Sequence, residues 1–109
     1  SLAEQGISAP RDLRGKRVFI AVEFLDTGRA VMELHYDSLD ASVHRSEVPG
    51  AFKDAHRPIT LSNSGRKRTV VFVLPDPRFE DNCNGADFRL SFAGGPFHIS
   101  RVALLVPPD

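Results

Sequence analysis

The chain has 109 residues, equal numbers of basic (Lys and Arg) and acidic (Asp and Glu) side chains, no Trp and one Cys. That length fits one domain with one core. The balanced charge argues against a general nucleic-acid binder, the lone Cys83 excludes an internal disulfide and a Cys-rich zinc site, and no apolar run approaches the ~20 residues of a membrane-crossing helix.

The first 15 residues combine Gly, Pro and scattered charge with little periodicity. They read as a linker or short leading strand near Gln5 to Ser8, with the domain proper spanning 16–109. No charged stretch followed by an apolar one opens the chain, so no signal peptide is expected in it. "RVFIAVEFL", Arg17 to Leu25, predicts a strand with Val18, Ile20, Val22 and Phe24 on one face. "DTGR" is a turn signal. "AVMELHYDS" alternates again, placing Met32, Leu34 and Tyr36 on one face and Val31, Glu33 and His35 on the other. Together they predict a hairpin.

The stretch from Asp37 to Arg57 is polar and holds the turn signal Pro49-Gly50. It is longer than an ordinary connection, which marks a functional or partly structured loop, with a short strand expected near Ser42 to His44. A strand follows around Ile59 to Leu61. "RTVVFVLP" is the strongest strand pattern and Pro75 ends it. After the acidic segment Asp76 to Asp87 come "ADFRLSF" and "HISRVALLV", joined by the turn "AGGP". Val18, Ile20, Val22, Val71, Val73, Phe88 and Leu90 are expected to be largely buried. Many short strands separated by Gly, Pro and Asn turns predict an all-β, antiparallel β-sandwich of jelly-roll type.

The segments "VEFLDTGRAVMELHYDS", "RTVVFVLPDPRFEDNCNGADFRLSF" and "HISRVALL" resemble carbohydrate-binding-module-like domains of the galactose-binding jelly-roll type. Such domains are attached to glycoside hydrolases and other polysaccharide-processing proteins. The resemblance covers roughly Arg17 to Val106. It implies a non-catalytic accessory module, an extracellular or periplasmic setting, a catalytic domain of the parent chain as neighbour, and a structural calcium in many members. With no Trp and one Tyr, the chain departs from members that bind sugar on broad aromatic platforms.

The candidate ligand-binding residues are Tyr36, Asp37, Asp40, His44, Arg45, Lys53, His56 and Arg57. Arg and Asp offer donors and acceptors that match vicinal hydroxyls, and Tyr36 or Phe52 offers a ring to stack on. A polysaccharide or oligosaccharide is the expected partner, bound weakly. The alternative is a structural domain that packs against a catalytic domain without binding sugar. Asp76 and Asp81 are the calcium candidates by ligand type, although the spacing matches no EF-hand loop. Asp87 and Arg89, two apart on one face of their strand, fit ion pairs with neighbours across the sheet, or Arg89 a ligand contact. The four histidines lack compact zinc spacing, and no nucleophile or phosphate-loop motif is present. "GRKR", Gly65 to Arg68, is a short basic cluster with nothing in the sequence to extend it. No enzyme activity, nucleic acid or membrane partner is expected.

Overall fold

The structure, a computed structural model, describes residues 4–55 and 58–108. In chain order the strands are β1 (Glu4–Ile7), β2 (Val18–Leu25), β3 (Val31–Tyr36), β4 (Lys53–Asp54), β5 (Ile59–Thr60), β6 (Lys67–Leu74), β7 (Phe88–Ala93) and β8 (His98–Leu105). A single 3-10 turn, Arg11–Leu13, is the only helical element among the described residues.

Two antiparallel sheets form. The larger runs β1-β7-β3-β4, with β5 also paired to β3, and the smaller runs β6-β2-β8. Alternation dictates what each buries. Val18, Ile20, Val22 and Phe24 of β2 point inward and meet Met32, Leu34 and Tyr36 of β3 and Phe88 and Leu90 of β7 in one core. Full burial of a Leu or Phe side chain contributes about 1.5–3 kcal/mol, so this shared core holds the two sheets together.

Strand direction gives the molecule two unlike ends. The tight turns after β2, before β6 and between β7 and β8 meet at one end, which we call the turn end. There the Gly28 N–H donates to Asn63 Oδ1 at 2.9 Å and the Asp26 N–H to the Arg66 carbonyl at 2.8 Å. At the opposite, loop end the segments 8–17, 37–52 and 75–87 are stitched together. Here the Gly15 N–H donates to the Pro77 carbonyl at 2.7 Å, and Ser38 bridges Pro77.

The short leading strand expected near Gln5 to Ser8 is β1, paired with β7 along Glu4↔Ser91 to Ile7↔Phe88 and followed by buried Ala9 and Leu13. Two local expectations change. The strand expected near Ser42 to His44 is instead a turn: the Asp40 carboxylate accepts from the Ser42 N–H at 3.0 Å and its hydroxyl at 2.6 Å, which curls the backbone. Val71 and Val73, expected inside, face out at 53% and 38% exposure, because Phe72 and Leu74 take the inward positions of β6. They leave the outer face of the smaller sheet apolar. Its cross-strand rows are Val73–Phe19–Leu105 and Val71–Ala21–Ala103.

Candidate functional site

A concave site of about 190 Å³ lies on the outer face of the larger sheet, lined by His35, Arg45, Phe52, Arg89 and Ser91. Sheet register builds its floor. Across the strands, Gly6, Arg89, His35 and Asp54 stand in one row, and Ser91 pairs with Glu33 in the next. Because side chains alternate, the outward residues of β3 and β7 are those between the buried Met32, Leu34, Tyr36, Phe88 and Leu90.

The polar groups are tied to one another. His35 Nε2 lies 2.9 Å from Asp54 Oδ1 and 3.4 Å from Glu33 Oε2. Arg45, from the long loop, donates to both oxygens of Asp54 at 3.1 and 2.6 Å. This two-point contact is the planar match that guanidinium makes with carboxylate. Arg89 donates to the carbonyls of Cys83 and Asn84 at 2.7 and 3.0 Å. Gly6 gives it room to lie down: a Cβ there would stand 3.1 Å from Arg89 Cζ and 3.0 Å from Ala86 Cβ.

Phe52 borders this site and also an open depression of about 400 Å³ lined by Ser46, Glu47, Val48, Asp81, Asn82, Asn84 and Gly85. Its backbone is left-handed, with φ 62°. That conformation is unfavourable for a bulky residue and is held here by the surrounding fold. Phe52 thus lines both depressions.

The sequence-derived site residues disperse. Tyr36 is 1% exposed; its ring is in the core and its hydroxyl donates to Asp76. Burial and that carboxylate push the phenol well above its ordinary pKa. It offers no stacking surface. Asp37 is fully buried, accepting from Arg78 Nε at 2.7 Å, the Glu80 N–H at 2.8 Å and the Asn82 side-chain amide at 3.0 Å. It organises the loop beneath it and is closed to ligand. Asp40 is half-buried, and its contacts with Ser42, then Lys53, push its carboxyl down to about 2. Lys53 sits between Asp40 and Asp76 at 2.9 and 2.7 Å. Burial works against its charge, but these carboxylates hold its pKa above the ordinary lysine value. His44 is exposed on the loop, outside the residues lining the concave site. Only Arg45 of the set lines that site. His56 and Arg57 lie outside the described residues.

The acidic segment is loop architecture. Phe79 is fully buried and anchors it. Glu80 meets Arg14, Asp81 meets Arg11 at 2.9 Å, and Asp76 meets Lys53. Asp87 is buried at the start of β7, and its ion-pair partner is Arg11 at 3.0 Å, from the 3-10 turn and not from a neighbouring strand. Asp76 and Asp81 do not fit a calcium site: a cation already occupies each, and among the described residues no group of three His, Cys, Asp or Glu is arranged to hold a metal.

Sequence reasoning missed Ser91 and read His35 only as a hydrogen-bonded sheet residue. The alternation of β3 carried the signal, since it placed His35 opposite the apolar face and Tyr36 on it. Comparison of the chain with protein-family models, curated proteins and solved structures returned no match. The class defined by the fold is an all-β protein of two stacked antiparallel sheets.

Proposed function

We propose that the chain is a non-catalytic carbohydrate-binding module of jelly-roll type, accessory to a polysaccharide-processing protein. The observation that carries this reading is the convergence of Arg45, Arg89, His35 and Ser91 with the half-buried ring of Phe52 in one groove. Hydroxyl-rich ligands need fixed donors and acceptors beside an apolar ring, and this groove supplies both. The sheet pairing, in which sequence neighbours are often not spatial neighbours, supports the jelly-roll connection over a simple meander. One small ring gives little stacking area, so dissociation constants fall in the range of about 1 µM to 1 mM, equivalent to roughly 4–8 kcal/mol. The test is a glycan array with the isolated domain, followed by Phe52→Ala and Arg45→Ala. Both variants lose glycan retention, while melting shows whether they keep the fold. Binding equal to the parent in both removes the groove reading.

A second reading rests on a different observation, the apolar outer face of β6-β2-β8. Phe19, Ala21, Val71, Val73 and Leu105 form a contiguous patch of the kind that marks a docking surface. In that reading the module packs against a catalytic domain of its parent chain. Val71→Lys then lowers the melting temperature of the full-length parent more than that of the isolated domain. Equal shifts in the two remove it.

A further inference from the structure

We propose that the turn end of the molecule is a second, separate binding site, for a polyanionic polysaccharide carrying repeated sulfate or carboxylate groups. In the sequence the basic run Arg66 to Arg68 stands alone. The fold extends it. The Asp26 N–H donates to the Arg66 carbonyl and the Gly65 N–H to the Asp26 carbonyl, both at 2.8 Å, while Gly28 binds Asn63. These bonds bring the turn that carries Arg29 alongside the one that carries Arg66. Four cations, Arg29, Arg66, Lys67 and Arg68, thus share one end.

Their charge is only partly answered. Asp26 is buried, with both carboxylate oxygens taken by Ser62 and Ser64, and it lies 3.6 Å from Arg68. Glu23 lies 3.6 Å from Lys67, whose side chain is 69% exposed. Among the described residues no carboxylate lies within ion-pair distance of Arg29 or Arg66, and both are exposed. The loop end shows the opposite bias. The segments 8–17, 37–52 and 75–87 hold eight acidic against six basic residues. The zero net charge therefore conceals a modest separation along the molecule: the turn end sets four cations against Glu23 and Asp26. Such a local excess of positive charge raises the encounter rate with polyanions. Guanidinium groups also match sulfate and carboxylate by two parallel hydrogen bonds, and three of the four cations are arginines.

The same end disfavours nucleic acid. Single strands are gripped by stacking bases on exposed rings. Here Phe24 is fully buried beneath the Arg68 guanidinium, 5.3 Å from its ring centre, and the half-buried Phe97 is already engaged with Phe24 at 4.9 Å and Phe92 at 5.4 Å. A flexible anionic glycan needs only the charges.

The test is titration of the full chain with dextran sulfate, polygalacturonate, neutral dextran and a poly(dT) oligonucleotide, at low and moderate salt. We expect one or both anionic polysaccharides to bind, with affinity falling steeply between about 50 and 200 mM salt. The double variant Arg29→Ala, Arg66→Ala lowers that affinity on the order of ten-fold and flattens the salt dependence. Lys16→Ala with Arg17→Ala, the same loss of two positive charges at the far end of β2, binds like the parent. If the alanine pair lowers the melting temperature, Arg29→Gln with Arg66→Gln replaces it. Whether sulfate or carboxylate polymer binds more tightly identifies the anion. The proposal is overturned if neither anionic polysaccharide binds, if neutral dextran binds equally, if the double variant binds like the parent, or if poly(dT) binds more tightly than both.

Discussion

Arg11 Nη2 lies 3.0 Å from the buried carboxylate of Asp87, 76 positions further along the chain. Asp87 also accepts from the Ala9 N–H at 2.6 Å and the Asp81 N–H at 2.9 Å, and Arg11 donates to the Phe79 carbonyl. One carboxylate thus ties the leading segment to the acidic loop. Asp87→Ala strips a buried amide of its acceptor, which costs about 1–3 kcal/mol. Urea denaturation should show that loss. A transition midpoint equal to the parent's contradicts it.

Acid should weaken the turn end. The hydroxyls of Ser62 and then Ser64 hold the Asp26 carboxyl well below its ordinary pKa. In the unfolded chain it titrates near ~3.9. The unfolded state therefore takes up protons first as pH falls, and the stabilisation present above about pH 4 is lost toward and below the folded-state value. Asp40, pushed down to about 2, acts in the same direction. Asp26→Asn should lower the melting temperature at pH 7 by several degrees and flatten its fall between pH 4 and 2. An unchanged acid profile in the variant would falsify the assignment.

Cys83 is fully buried. Burial pushes its thiol up to about 11, and the thiolate is the reactive form. The native protein at pH 8 should resist a disulfide reagent for as long as it stays folded, then react fully in denaturant. Prompt native labelling would show an open loop end.

Gly6→Ala should disturb the groove from beneath. The added methyl meets Arg89 Cζ at 3.1 Å, so the guanidinium must lift from its contacts with the Cys83 and Asn84 carbonyls. The expected readout is a shifted or broadened Arg89 Nε–H resonance with a stability loss of about 1 kcal/mol. An unmoved resonance means that the backbone yields instead.

Val22 lies in the centre of β2 and is fully buried. Val22→Asp places an unpaired charge between the sheets and costs several kcal/mol, enough to unfold most of the chain at 25 °C. Circular dichroism with a urea titration checks this. A parent-like transition would remove the two-sheet core.

The sequence was most legible where the two faces of a strand differ. In β3, Met32, Leu34 and Tyr36 alternate with Glu33 and His35, and burial follows that pattern. In β6 both faces are apolar, so period two carries no contrast. Its phase is set instead by pairing with β2, where Val18↔Leu74 and Ile20↔Phe72 place Leu74 and Phe72 inside. The groove was legible in Arg45 and Phe52, which stand out as a planar donor and a ring in a polar loop. Arg89 was ambiguous, because the groups it meets lie on a loop whose course no local pattern specifies. Asp37 and Asp87 were read for their charge. Their role depends on backbone amides brought in by distant segments, and a single sequence does not display those.

The separation of charge between the two ends has a bearing on handling the protein. A chain with no net charge near neutrality has little repulsion to keep copies apart. With unanswered charge at Arg29 and Arg66 and a small acidic excess across the loops, neighbouring copies at low salt should attract one another end to end. Added salt screens that attraction over a Debye length of about 8–10 Å at 0.10–0.15 M. Solubility should therefore rise with moderate salt and dip on dialysis into dilute buffer, a salting-in behaviour more familiar from globulins than from small charged domains.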